Sequence, residues 1–282
     1  MRLTIKTALS GALLPLLLCA GLSWAAPEDA QSARAGTDAS ASADATVEPA
    51  NPALAELMRM AEFLAGRGRF QVSLTSGFDV VQENGQKIEF GEQRDILLLR
   101  PDRLRVDVAQ SDGNLSTIVF DGVRISVYNK TQNLYAASEM RGDVDAAIKH
   151  FVKDLNMRLP LAMLLVTSLP EELKQRVQEA AIVGTAQFDG QSFTHLAVRA
   201  DDVDFQLWLP DSGDPLPRRI VLTYREEQGQ PQYWAHFSDW NLKPSPPSSR
   251  FAVELPADVE RIQFLTNLTS AEVGDALPGD QP

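Results

Sequence analysis

The chain has 282 residues, 44% of them hydrophobic, 23% charged and 7% aromatic, with a single Cys. Those proportions describe a globular protein and exclude a wholly disordered, collagen-like or disulfide-stapled chain. The formal charge of -12 repels phosphate backbones and anionic headgroups, so neither nucleic acid nor a charged membrane surface is an expected partner.

The chain opens with Arg2 and Lys6, then an apolar run from Ala8 to Leu22, then Ser23, Trp24 and Ala25. A basic start, a short apolar stretch and small residues form the secretory signal pattern, with cleavage expected after Ala25. The run is short for a bilayer span, and Pro15 interrupts it. A lipoprotein signal carries a small residue just before its Cys, but Leu18 precedes Cys19. Lipidation at Cys19 is therefore not favoured, and the Cys is expected to leave with the leader. Residues 1–25 are assigned to the signal and the protein to the periplasm.

Residues 26–50 are mostly Ala, Ser, Asp, Thr and Pro, with almost no large apolar side chain. Such a stretch cannot bury enough surface to offset its ordering entropy and is predicted to be a disordered acidic linker. Residues 269–282 read the same way. The remainder, 51–268, is long enough to bury roughly 70% of its unfolded surface as one domain.

Asn51 can cap a helix whose first position is Pro52. Leu54, Leu57, Met58, Ala61 and Leu64 follow at helical spacing, ending near Gly66. The period then becomes two. Phe70, Val72 and Leu74 alternate with polar residues, and Asn84-Gly85 marks a hairpin. The return strand runs from Ile88 through Leu99, Pro101-Asp102 turns it, and Leu104, Val106 and Val108 continue the alternation. Further strands are predicted at 115–121, 123–129 and 134–138, making an antiparallel meander. Asp143 then opens a helix with Val144, Ile148 and Phe151 on one face. The apolar stretch 159–169, LPLAMLLVTSL, and a more polar helix over 171–179 complete a helical insert. Strands return at 181–188, 192–199, 203–209, 219–225 and 232–240, with a last pairing segment at 251–254.

About ten or eleven strands with one apolar face each, and roughly three helices, make an α+β fold. A sheet this large curls, and its apolar side must be covered by the first helix and the central insert. The predicted architecture is a strongly curved antiparallel sheet, an open half-barrel, under a helical lid. Two readings of its interior stand side by side: a vacant apolar hollow, or an ordinary filled core.

Several stretches carry a resemblance. Leu97-Leu98-Leu99-Arg100-Pro101-Asp102-Arg103-Leu104-Arg105 resembles the strand-turn-strand of the outer-membrane lipoprotein carrier proteins (LolA-like). Phe120-Asp121-Gly122-Val123 through Tyr135, Leu216-Pro217-Arg218-Arg219-Ile220 and Phe251-Ala252-Val253-Glu254-Leu255-Pro256 follow in the family's order over about 200 residues. The whole also resembles an uncharacterised family of secreted bacterial proteins in that superfamily, through Phe205-Gln206-Leu207-Trp208 and Phe237-Ser238-Asp239-Trp240. The resemblance implies a half-barrel that carries a lipid or lipoprotein acyl moiety, with the Arg before the turn Pro, here Arg100, latching the lid. Phe70, Leu74 and Leu104 fall at its wall positions, although the two Leu depart from the aromatic type. With their face-mates Val72 and Val106, and Ile148, Phe151, Leu161 and Leu164 from the covering insert, they form the expected ligand wall.

Catalytic signatures are missing. His150, His195 and His236 fall in separate elements, and no metal-ligand spacing, nucleophile elbow or phosphate loop occurs. No enzymatic activity, cofactor or metal is expected. Asp201, Asp202 and Asp204 could hold Ca²⁺ or form a solvated acidic turn. Trp208, Tyr233, Trp234 and Trp240 could form a binding platform or pack across strands. The leading functional reading is a monomeric periplasmic carrier for a lipid or acylated lipoprotein. The alternative is an envelope sensor or structural module that docks a protein partner on the same half-barrel.

Overall fold

The computed structural model describes residues 51–264 apart from Asn156 and Arg158. The leader, Cys19, the linker 26–50 and the tail 269–282 lie outside the described residues.

Asn51 starts the domain. Its Oδ1 accepts from the backbone N–H groups of Ala53 and Leu54 at 2.9 and 3.2 Å, and Pro52 opens α1 (Pro52–Ala65). Leu57, Met60, Ala61 and Leu64 form its buried stripe. Beyond Gly66 the side-chain period becomes two. β1 (Arg69–Val81) and β2 (Lys87–Leu99) pair antiparallel along their full length, through a turn where Gly85 takes the left-handed φ of +82°. β3 (Arg103–Gln110), β4 (Leu115–Phe120), β5 (Arg124–Asn129) and β6 (Leu134–Glu139) extend the meander. A covering segment follows, and α3 (Leu169–Arg176) leads into β7 (Val177–Phe188), β8 (Gln191–Ala200), β9 (Val203–Pro210), β10 (Arg219–Tyr224) and β11 (Gln232–Asn241).

β11 pairs with β1, joining the two halves and β12 (Glu260–Ile262) into one sheet that has twelve strands among the described residues, in the order β12-β6-β5-β4-β3-β2-β1-β11-β10-β9-β8-β7. Among the described residues every strand pairing is antiparallel except that of β12, which runs parallel to β6. The end strands β12 and β7 do not pair with each other, so the sheet is open and unclosed.

Three expectations need correction. The last pairing segment is β12, not 251–254. Three prolines, Pro244, Pro246 and Pro247, precede that stretch and cannot donate to a ladder. Phe251 instead ends a 3-10 turn (Ser248–Phe251) and packs on the outer face against Leu97 and Val119. β7 begins at Val177 rather than Ala181, because ladder pairing of Val177 with Ala200 overrides helix propensity there. The central insert holds less helix than its apolar pattern suggests. Asp143 caps α2 (Val144–Lys149) by accepting from Ala146 N–H at 2.8 Å, a π-helical turn covers His150–Asp154, and only a 3-10 turn, Ala162–Leu165, forms in the apolar stretch. Pro160 and Pro170 bracket that stretch and remove two donors.

One face of the sheet is covered. Phe70, Val72 and Leu74 of β1, Ile96 and Leu98 of β2, and Leu104 and Val106 of β3 share a single core with Leu57 and Leu64 of α1. Val144, Ile148, Phe151 and Leu165 from the covering segment complete it. A smaller cluster, Phe193, Trp208 and Val221, lies on the outer face. There Gly77 lets the Trp234 indole cross the sheet: a Cβ at position 77 would come within 2.7 Å of the ring.

Candidate ligand-binding site

Alternation on β1 sends Phe70, Val72 and Leu74 to the covered face, where they line a small cavity with Ile96, Leu161, Leu164, Leu165, Phe237 and Trp240. Five of the nine expected wall residues, Phe70, Val72, Leu74, Leu161 and Leu164, are brought together here. Leu104, Val106, Ile148 and Phe151 are buried in the same core but do not line the space. Phe237 and Trp240 stand outside the expected wall, Trp240 having been read as part of a binding platform or of cross-strand packing; it packs 5.6 Å from Phe70 and 5.8 Å from Phe237, ring centre to ring centre. The space among these side chains is about 10 Å³, on the order of a single water. Of the two readings of the interior, this cavity fits the filled one. Leu161, Leu164 and Leu165 fill it from above.

What holds that plug is polar. Arg100, at the end of β2, donates from Nε to Arg67 O at 3.1 Å, from Nη1 to Asp145 Oδ1 at 3.0 Å and from Nη2 to Leu165 O at 2.7 Å. One guanidinium thus ties the end of α1, the first turn of α2 and the 3-10 turn to the sheet. Asp145 Oδ2 also accepts from the N–H of Thr167 at 2.8 Å and from its hydroxyl. Leu161 itself adopts the left-handed φ of 65°, a conformation costly for a branched side chain.

A second polar group sits deeper. On β2 the covered face carries Glu92 and Arg94 in phase with Ile96 and Leu98, and both are more than nine-tenths buried. Their ion pair spans 2.5 Å, Ser76 Oγ donates to Glu92 Oε1 at 3.2 Å, and Arg94 Nη1 donates to Pro160 O at 3.2 Å. Tyr233 of β11 completes the cluster, its ring 6.0 Å from the guanidinium carbon. Two polar atoms in it are orphaned: Arg94 Nε and Tyr233 Oη are buried without a hydrogen-bond partner. Ser76 lies near enough to the phenol to favour its charged form, but it gives its own proton to Glu92 and makes no hydrogen bond of good geometry with Tyr233 Oη. Burial pushes the Tyr233 phenol up, against the opposing pull of the Arg94 charge and Ser76, so the hydroxyl stays protonated and can donate. The sequence reading passed over Glu92 and Arg94, although the phase set by Phe90, Ile96 and Leu98 places them inward.

The profile of a family described as predicted periplasmic protein (DUF2092) matches residues 53–265. The chain belongs to that family. It is accordingly a periplasmic protein. A search of curated proteins finds no match to its sequence. Among solved structures it is similar to lipoprotein LppX of Mycobacterium tuberculosis, at 15% identity over 69% of this chain and 97% of that one, with a TM-score of 0.42. It is also similar to a LolA superfamily protein from Nitrosomonas europaea, at 12% identity over 71% and 97% of the two chains, TM-score 0.35. A third likeness is to the Pseudomonas aeruginosa MucA/MucB complex, at 19% identity over 72% of this chain and 61% of that one, TM-score 0.39.

The aromatic and acidic candidates of the chain are engaged by its own residues. Its aromatic group splits across the sheet: Tyr233 and Trp240 pack into the covered core, while Trp208 and Trp234 lie on the outer face with Arg219 between them. Asp202 pairs with Arg176, and Asp204 with Arg199 and Arg225. Among the described residues, no group of three or more His, Cys, Asp or Glu could hold a metal ion. One Ser–His–Asp string does occur, with Ser138 Oγ 3.1 Å from His150 Nε2 and His150 Nδ1 2.7 Å from Asp154 Oδ2. A hydrolytic triad buries its carboxylate, whereas the Asp154 side chain is 66% exposed, and the string reads as a tether between β6 and the π-helical turn.

Proposed function

We propose that the protein binds an acyl chain of a lipid or lipoprotein by exchanging it for its own leucine plug. The observation that carries this reading is the plug itself. An all-apolar wall is occupied by side chains of a segment with little regular structure, held down by hydrogen bonds from Arg100 and Arg94. Burying a methylene is worth about 0.8 kcal/mol, so a long acyl chain represents roughly 10 kcal/mol or more. No carrier could release such a chain into water. Exchange of aliphatic plug for aliphatic ligand is nearly neutral, and the polar contacts of the covering segment then set which state prevails. In this mechanism the segment is the lid and Arg100 its latch.

The test is native mass spectrometry of the protein purified from periplasm, followed by uptake of a fluorescent lipid from vesicles. Co-purified acyl species and saturable uptake are expected. A protein that carries no acyl species and takes up no lipid contradicts the reading. The filled cavity favours a second reading, in which the same sheet docks an envelope protein; a stoichiometric protein partner recovered with lipid-free protein would support it instead.

A further inference from the structure

The geometry points to the Glu92–Arg94–Tyr233 cluster as a seat for the neutral carbonyl at the head of the ligand's acyl chain, an ester or amide rather than a free carboxylate. This inference rests on the acyl-binding reading above and names the chemistry of the ligand's head.

Buried polar atoms in folded proteins are nearly always paired, and an unpaired one costs the full desolvation of that group. Here two orphans occur in one place, Arg94 Nε and Tyr233 Oη. They lie on one face of the sheet beside the apolar cavity: Arg94 is opposite Leu74 in the β1–β2 register and two residues from Ile96, both cavity-lining. Tyr233 faces Phe78 on β1, one face-mate beyond Ser76, which is itself opposite Glu92. The polar cluster therefore abuts the end of the hydrocarbon wall.

Both orphans are donors, so the complementary group is an acceptor. Its charge follows from the existing balance. Arg94 is already neutralised by Glu92 at 2.5 Å, and an added carboxylate would leave an uncompensated negative charge in a buried site. A carbonyl oxygen accepts both hydrogen bonds and brings no net charge. The plug couples to the same seat. Arg94 Nη1 is held by Pro160 O, one residue before Leu161, so withdrawal of the plug frees a third donor as it vacates the wall.

The experiment compares 1-monopalmitoylglycerol, which has an ester carbonyl, with 1-O-hexadecylglycerol, which has the same chain length and no carbonyl. Binding to the secreted chain is measured by titration for wild type and Tyr233→Phe, with thermal unfolding of both proteins. Wild type is expected to prefer the ester by about tenfold, the worth of one or two hydrogen bonds. Tyr233→Phe is expected to reduce that preference several-fold, leave ether binding unchanged, and unfold at the same or a higher temperature, because the hydroxyl removed has no partner. Palmitate is expected to bind more weakly than the ester at neutral pH. An unchanged ester preference in Tyr233→Phe, equal binding of ester and ether by wild type, or a clear loss of stability in the variant overturns the inference while leaving acyl binding intact. If neither lipid binds wild type, the acyl-binding reading fails and this inference with it.

Discussion

Arg100 Nη1 donates to Asp145 Oδ1 at 3.0 Å, joining the last residue before the β2–β3 turn to the first turn of α2. The guanidinium is mostly buried, with 12% of its side-chain surface exposed against 26% for Asp145, so the pair is shielded from the screening that weakens surface bridges. The same group holds Leu165 O, and in the proposed exchange these bonds are made only with the covering segment in place. Arg100→Leu should therefore weaken the closed state by about 1–3 kcal/mol. If closure expels ligand, the variant should keep its fold, retain lipid longer and transfer it to acceptor vesicles about tenfold more slowly. Unaltered transfer would mean that Arg100 is structural only.

Leu161 offers a separate handle on the plug. Its φ of 65° suits glycine and penalises a side chain. Leu161→Gly and Leu161→Ala remove the same plug contacts, but only the first relieves the backbone. Leu161→Gly should be the more stable by about 1 kcal/mol, reversing the usual order of the two residues. Both should speed lipid uptake by enlarging the space beside Phe70 and Trp240. Urea unfolding of the two variants checks the order, and stopped-flow uptake checks the rates.

The Glu92–Arg94 pair makes a sharper demand on stability. Glu92→Gln leaves a buried guanidinium without its counter-charge and should cost about 3–5 kcal/mol. The double variant Glu92→Leu/Arg94→Met removes both charges and should recover most of that loss. A double-mutant cycle by denaturant unfolding measures the coupling. A single variant costing under about 1 kcal/mol would show that water reaches the pair.

Much of this fold is legible in the sequence. The Asn51-Pro52 start, the Asn84-Gly85 hairpin and the alternation of β1 to β6 follow from local chemistry that the tertiary structure leaves in place. Elements decided by distant partners are not legible. β12 is three residues long and exists through parallel pairing with β6, and β7 extends to Val177 because β8 is there to receive it. The wall residues Phe70, Val72 and Leu74 could be found by periodicity, and Arg100 by resemblance. Whether the hollow is open could not, since Leu161, Leu164 and Leu165 read as lid or as filling with the same pattern. Glu92 and Arg94 interrupt an apolar face, and charges in strands are ordinarily taken to face water.

The pH dependence of stability tests the electrostatics of the outer face. His236 lies beside Arg219 and near Arg218, and its neighbour Trp234 packs edge-on at 5.5 Å. Burial, then the charges of Arg219 and Arg218, depress the imidazole below its ordinary value of 6.5. The unfolded chain thus takes up the proton first as pH falls, and stability is full above pH 6.5 and declines as pH drops toward the folded value. His236→Gln should flatten that part of the curve. A second decline belongs to Asp107. Burial disfavours its charge, but hydrogen bonds from Arg105 and Thr117 and the charges of Arg105 and Lys130 outweigh burial and hold the carboxyl below 3.8. That contribution persists above pH 3.8 and is lost as pH falls through the depressed value. Asp107→Asn should remove the acid-side slope and leave the slope below pH 6.5 untouched. Urea midpoints across pH 3 to 8 for wild type and both variants separate the two windows, and a wild-type midpoint that stays flat from pH 7.5 to 5.5 would contradict the assignment to His236.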